Sequence, residues 1–70
     1  METELIIIKN NSDYIRVKDG KYFLCNLDKA SVFPMDKIEE VKDHIKNIRQ
    51  DKNFSPSIYR LILKEEPLSL

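Results

Sequence analysis

Within residues 36–49 the apolar side chains Ile38, Val41, Ile45 and Ile48 recur at spacings of three, four and three. At ~100° per residue they fall within an arc of roughly 80°, and charged residues take most of the remaining circumference. The result is an amphipathic helix with one narrow apolar stripe. Such a helix cannot stand alone in water and must lie on a surface supplied by the rest of the chain. That remainder is a set of short runs rich in β-branched and aromatic residues. Together they predict an α+β domain in which one helix lies across one face of a sheet. Asp36 is placed to cap the first N–H groups, with Glu39 in capping-box spacing. Asn53 is the expected C′ residue, and Ser55-Pro56 prevents continuation.

The strands follow from local pattern. Residues 3–9 (Thr-Glu-Leu-Ile-Ile-Ile-Lys) read as a strand, an apolar run rich in β-branched residues and bounded by charges, expected to be at least partly covered on both faces. Asn10, Asn11, Ser12 and Asp13 all favour turns. Residues 14–18 alternate as a half-buried strand with Ile15 and Val17 on one side. Asp19-Gly20 is the strongest short-range signal: a two-residue type I′ turn, in which Gly accepts positive φ and Asp tolerates it. That turn pairs Lys18 with Lys21, Val17 with Tyr22, Ile15 with Leu24 and Tyr14 with Cys25. Ile15, Val17, Tyr22 and Leu24 then face the helix. The rival is a three-residue loop with a G1 bulge, which slips the register by one and buries Phe23 and Cys25 instead.

Residues 26–33 are too short for a helix and too mixed for a strand, and read as a single turn around residues 28–31. Leu27, Ala30 and Phe33 fall every third residue, which would bring all three to the edge of the core. Pro34 keeps Phe33 extended. Residues 57–64 read as the last strand, with Tyr59, Leu61 and Leu63 inward and Ile58 and Ile62 outward. Residues 65–70 are a frayed tail. The order is β-β-β-α-β, an antiparallel meander whose edge, most naturally its first strand, receives the strand after the helix. One domain spans residues 1–70.

In its middle the chain resembles small uncharacterised proteins of phages and mobile elements. A Tyr-led hairpin, here Tyr14 to Tyr22, precedes a Leu-x-x-Ala-x-x-Phe segment, here Leu27, Ala30 and Phe33, and one amphipathic helix follows. The resemblance implies this fold and a phage or mobile-element setting. It carries over no catalytic residue.

Size and charge narrow the function. A chain of 70 residues buries only about 60% of the surface its unfolded form exposes, so a partner subunit is a natural source of further stability. One Cys and one His make neither an internal disulfide nor a metal set. The lone thiol suits a cytoplasmic protein. Glu2 and Glu4 replace the basic region of a signal peptide, and no apolar run approaches the roughly 20 residues of a membrane span. Twelve basic and twelve acidic residues cancel, which argues against a protein built to coat nucleic acid or an anionic membrane.

No catalytic set stands out, and the protein is expected not to be an enzyme, with no cofactor and no small-molecule substrate. The one glycine is explained by the hairpin and leaves no phosphate loop. His44 reads as a boundary residue touching Glu40, and Cys25 as a packed, unreactive thiol. Glu39, Glu40 and Asp43 read as surface partners of neighbouring lysines. The informative surface is the sheet face away from the helix. Ile58 and Ile62, joined by Phe23, Ile6 and Ile8, would make an apolar patch there for a protein target or a second copy. The alternative occupant is single-stranded nucleic acid, with Tyr14, Arg16, Lys18, Lys21, Phe23 and Arg60 supplying rings and cations.

Overall fold

Strand β1 (Glu2–Asn10) is the axis with which β2, β4 and β5 all pair, and β3 joins through β2. The structure is a computed structural model describing residues 2–69. After β1 come β2 (Asp13–Lys18), β3 (Lys21–Cys25), a 3₁₀ turn at Leu27–Lys29, and β4 (Val32–Pro34). A second 3₁₀ turn (Met35–Lys37), the helix α1 (Ile38–Ile48) and β5 (Pro56–Lys64) complete the order. The class is α+β: a curled antiparallel sheet of five strands with one helix on its inner side.

The hairpin forms as its turn chemistry dictates. Asp19 and Gly20 both have positive φ, at 52° and 72°, and the pairing runs Lys18↔Lys21, Val17↔Tyr22, Arg16↔Phe23, Ile15↔Leu24, Tyr14↔Cys25. The bulged alternative is not formed. Asn11, also at positive φ, turns β1 into β2.

One edge of β1 is shared. β2 pairs with it only at Lys9↔Tyr14 and Asn10↔Asp13, and β4 takes over at Leu5↔Pro34, Ile6↔Phe33 and Ile7↔Val32. Between them Ser31 closes the gap. Its Oγ accepts the Val17 N–H at 2.8 Å, and its own N–H donates to Ile15 O at 3.1 Å. The side chain thus satisfies a strand group that β1 has left behind. The other edge of β1 belongs to β5, in nine unbroken pairs from Glu2↔Lys64 to Asn10↔Pro56.

The core lies between this sheet and α1. Ile6, Ile8, Ile15, Val41, Ile45 and Ile48 are buried together, with Val17, Tyr22, Phe33, Ile38 and Phe54 packed around them. Each buried aliphatic side chain contributes about 1.5–3 kcal/mol relative to leaving it in water. At the far end Asn10, itself buried, accepts the Ser55 N–H on its side-chain oxygen. That bond ties the segment after the helix to the end of β1.

Several local expectations differ from the structure. Asp36 does not cap the helix: it sits inside the second 3₁₀ turn, and α1 begins at Ile38 without a side-chain cap. The helix ends at Ile48, with Arg49 N–H bonded to Ile45 O, well before Asn53. Val32–Pro34 is a strand, because pairing with β1 outweighs its mixed composition. Leu27 stays exposed, while Ala30 and Phe33 are half-buried. Leu24 lies on the helix-facing side but beyond the reach of α1, at 49% exposure. The tail is exposed and without regular structure through Ser69; Leu70 lies outside the described residues.

Candidate functional site

In an antiparallel pair, side chains directly opposite one another share a face. Ile6 and Ile8 are in the core, so their partners on β5, Arg60 and Ile58, face the helix side, and so does Ile62 opposite Glu4. Tyr59, Leu61 and Leu63 therefore point outward. This reverses the expected assignment for β5. The physical reason is that β5 is apolar on both faces, so its own pattern does not choose; the register against β1 does. Ile6 and Ile8, at 1% and 0% exposure, belong to no open patch. Leu5 and Ile7 take their place on the outer face.

The outer face then contains two apolar rows running across β4, β1 and β5: Val32–Ile7–Tyr59 and Pro34–Leu5–Leu61. Leu63 extends the second along β5. Val32, Tyr59 and Leu63 are each about half exposed, at 49%, 50% and 47%. Ile7 is closed over by its neighbours at 4%. Among the described residues no element of the chain lies over these rows. Reading residues 26–33 as a turn is what hid Val32 and Pro34 from the sequence. The β-branched Val32 just before Phe33-Pro34 was the available signal.

The aromatic and basic residues are partly brought together. Tyr14, Arg16 and Lys18 on β2 and Lys21 and Phe23 on β3 share the outer face by their pairing. Arg60 does not join them; it turns to the helix side and meets Glu4 at 3.5 Å. Lys9, missed by sequence reasoning, places its ammonium 5.0 Å from the ring centres of both Tyr14 and Tyr59. Cation–π attraction of this kind satisfies the rings with a cation from the same chain.

The two reactive residue types are absorbed into structure. His44 packs under the hairpin, its Nδ1 hydrogen-bonded to Tyr22 Oη at 2.9 Å and its ring tilted against Phe33 at 5.6 Å. Its partner is thus a phenol and a ring, not Glu40. Cys25 donates weakly to Tyr14 O at 3.5 Å. Burial pushes its thiol above the ordinary value, with Asp28 and Asp13 adding to the rise and Arg16 opposing it. A protonated thiol is a poor nucleophile. Among the described residues no three His, Cys, Asp or Glu side chains gather as a metal set, and no helix is long and apolar enough to cross a membrane.

On the inner side, between α1 and β5, lies a groove of about 550 Å³. Its floor includes Ile45 and Ile58, and Lys42, Lys46 and Arg49 stand along it. Comparison of the chain with family models, with curated proteins and with solved structures gives no match, so these surfaces are the basis for any reading of its function.

Proposed function

We propose that the protein is a small non-enzymatic interaction module that engages another protein through the outer face of its sheet. One observation carries the reading: the rows Val32–Ile7–Tyr59 and Pro34–Leu5–Leu61 lie side by side on the outer face, with Val32, Pro34, Tyr59 and the adjoining Leu63 exposed around a closed Ile7. Contiguous apolar surface on a small domain is costly in water and is characteristic of a partner site. The patch is also flanked by Lys9 and Thr3, the apolar-centre and polar-rim pattern of protein interfaces. An accessory or inhibitor role of the phage or mobile-element kind, in the cytoplasm, accords with the hairpin and Leu-x-x-Ala-x-x-Phe resemblance and with the lone thiol.

Single-stranded nucleic acid on Tyr14, Arg16, Lys18, Lys21 and Phe23 is less well supported. Lys9 already occupies the ring face of Tyr14, and Arg60 is turned towards Glu4. The test uses Val32→Asp, which charges the patch without touching the core. Wild-type protein captures a partner from a lysate of its source cell, and Val32→Asp, still folded by circular dichroism, loses it. The same partner on both would end the proposal. Salt-steep binding of a single-stranded oligonucleotide that Arg16→Ala weakens would replace it with the nucleic-acid reading.

A further inference from the structure

β5 is an edge strand of unusual length. It pairs with β1 through nine consecutive residues without a bulge, and among the described residues no strand pairs with its other edge. Natural edges are normally blunted by short length, bulges, prolines or charge. Here the only proline of the strand, Pro56, is its first residue, and Arg60 is engaged by Glu4. Ile58, Tyr59, Ile62 and Leu63, on both faces, are 40–53% exposed.

We propose that this edge pairs with β5 of a second copy of the chain, antiparallel, with Leu61 on the two-fold axis. An axis perpendicular to the sheet keeps the same face outward in both copies, so one residue must sit opposite itself. Centring on Arg60 sets two guanidinium groups against each other. Centring on Ile62 sets Arg60 against Lys64 twice. Centring on Tyr59 leaves Leu63 and Lys64 beyond the start of the partner strand. Centring on Leu61 pairs Tyr59 with Leu63, Arg60 with Ile62 and Ile58 with Lys64, and no like charges meet.

That register also gives the tail a destination. Continued past Lys64, the alternation places Glu66 on the helix-facing side, opposite Pro56 at the start of the other copy's β5. It arrives at the groove between α1 and β5. Glu66, paired with Lys64 of its own chain at 3.3 Å in the single chain, then comes beside the Lys42, Lys46 and Arg49 that line the groove next to Pro56. Acid against base makes the surface self-complementary, as a two-fold interface requires. The two outer faces then merge into one surface. This pairing does not depend on what the outer face binds.

Sedimentation equilibrium of the full chain over a hundredfold concentration range tests it. The wild type dimerises; a monomer throughout overturns the proposal. Ile62→Lys faces Glu4 within its own chain and Arg60 across the interface, so it stays folded while the dimer weakens about tenfold or more. Ile62→Glu, opposite Arg60 of the other copy, dimerises at least tenfold more tightly than Ile62→Lys. Equal weakening by both overturns the register. In a Cys25→Ser background, mild oxidation links Leu61→Cys into a covalent dimer and leaves Tyr59→Cys unlinked; the reverse overturns it as well. Val32→Asp leaves β5 intact, so failure of the outer-face reading and failure of this one are separable.

Discussion

The β2–β3 hairpin and the β1–β5 ribbon are both regular antiparallel pairs, yet they are specified by different means. In the hairpin, two residues decide everything: Asp19 and Gly20 at positive φ set which residue meets which. In the ribbon the partners are some 45 residues or more apart in sequence, and no turn joins them. Its register depends on the Asn10–Ser55 bond, on Pro56 opposite Asn10, and on Ile8 lying beneath the helix. A tight turn transmits register through backbone geometry. A distant pair receives it only through the core.

The comparison can be broken most severely at the residue on which the ribbon depends. Ile8 is fully buried, so Ile8→Ala should cost about 2–5 kcal/mol, read from denaturant melts. Against a total of about 5–15 kcal/mol this is a large share. Gly20→Val attacks the hairpin instead. At φ 72° a β-branched residue is strained, and a loss of about 1–3 kcal/mol is expected, with exchange of the β2 and β3 amides rising more than that of β5.

Asn10→Ala removes the acceptor for Ser55 N–H and should cost about 1–3 kcal/mol. Its signature is opposite to that of Gly20→Val: amide exchange in β5 should rise while the hairpin stays protected. Ser31→Ala, which leaves the Val17 N–H without its partner, should cost about 1 kcal/mol. If Asn10→Ala loosened both regions equally, register in the ribbon would not be held at that end.

The smallest effect concerns Cys25 at the end of the hairpin. Its folded thiol titrates above the ordinary value because burial disfavours the thiolate. The folded state therefore holds the proton more tightly than the unfolded chain. That contribution is fully present below the unfolded pKa and is lost as pH rises through the folded one. Alkylation near pH 8 should accordingly run slower in the folded protein than in urea. Equal rates would remove the burial argument.

Much of the fold was legible in the residues themselves. The spacing of Ile38, Val41, Ile45 and Ile48 located the helix, Asp19-Gly20 located the hairpin and favoured its type I′ register over the bulged rival, and the apolar run of residues 5–8 located the first strand. Each is a local signal, in which neighbouring residues determine backbone angles or a solvent-averse stripe. Tertiary structure alone decided the rest. Val32–Pro34 became a strand because β1 had an unpaired edge to offer it. Tyr59, Leu61 and Leu63 went outward, and Ile58 and Ile62 inward, because β5 is apolar on both sides and only its alignment with Ile6 and Ile8 distinguishes them. His44 turned to Tyr22 and Phe33 because Tyr22 of the hairpin and Phe33 of β4 both lie on the helix-facing side of the sheet. A period-2 pattern names two faces, but contact with the core determines which of them is buried.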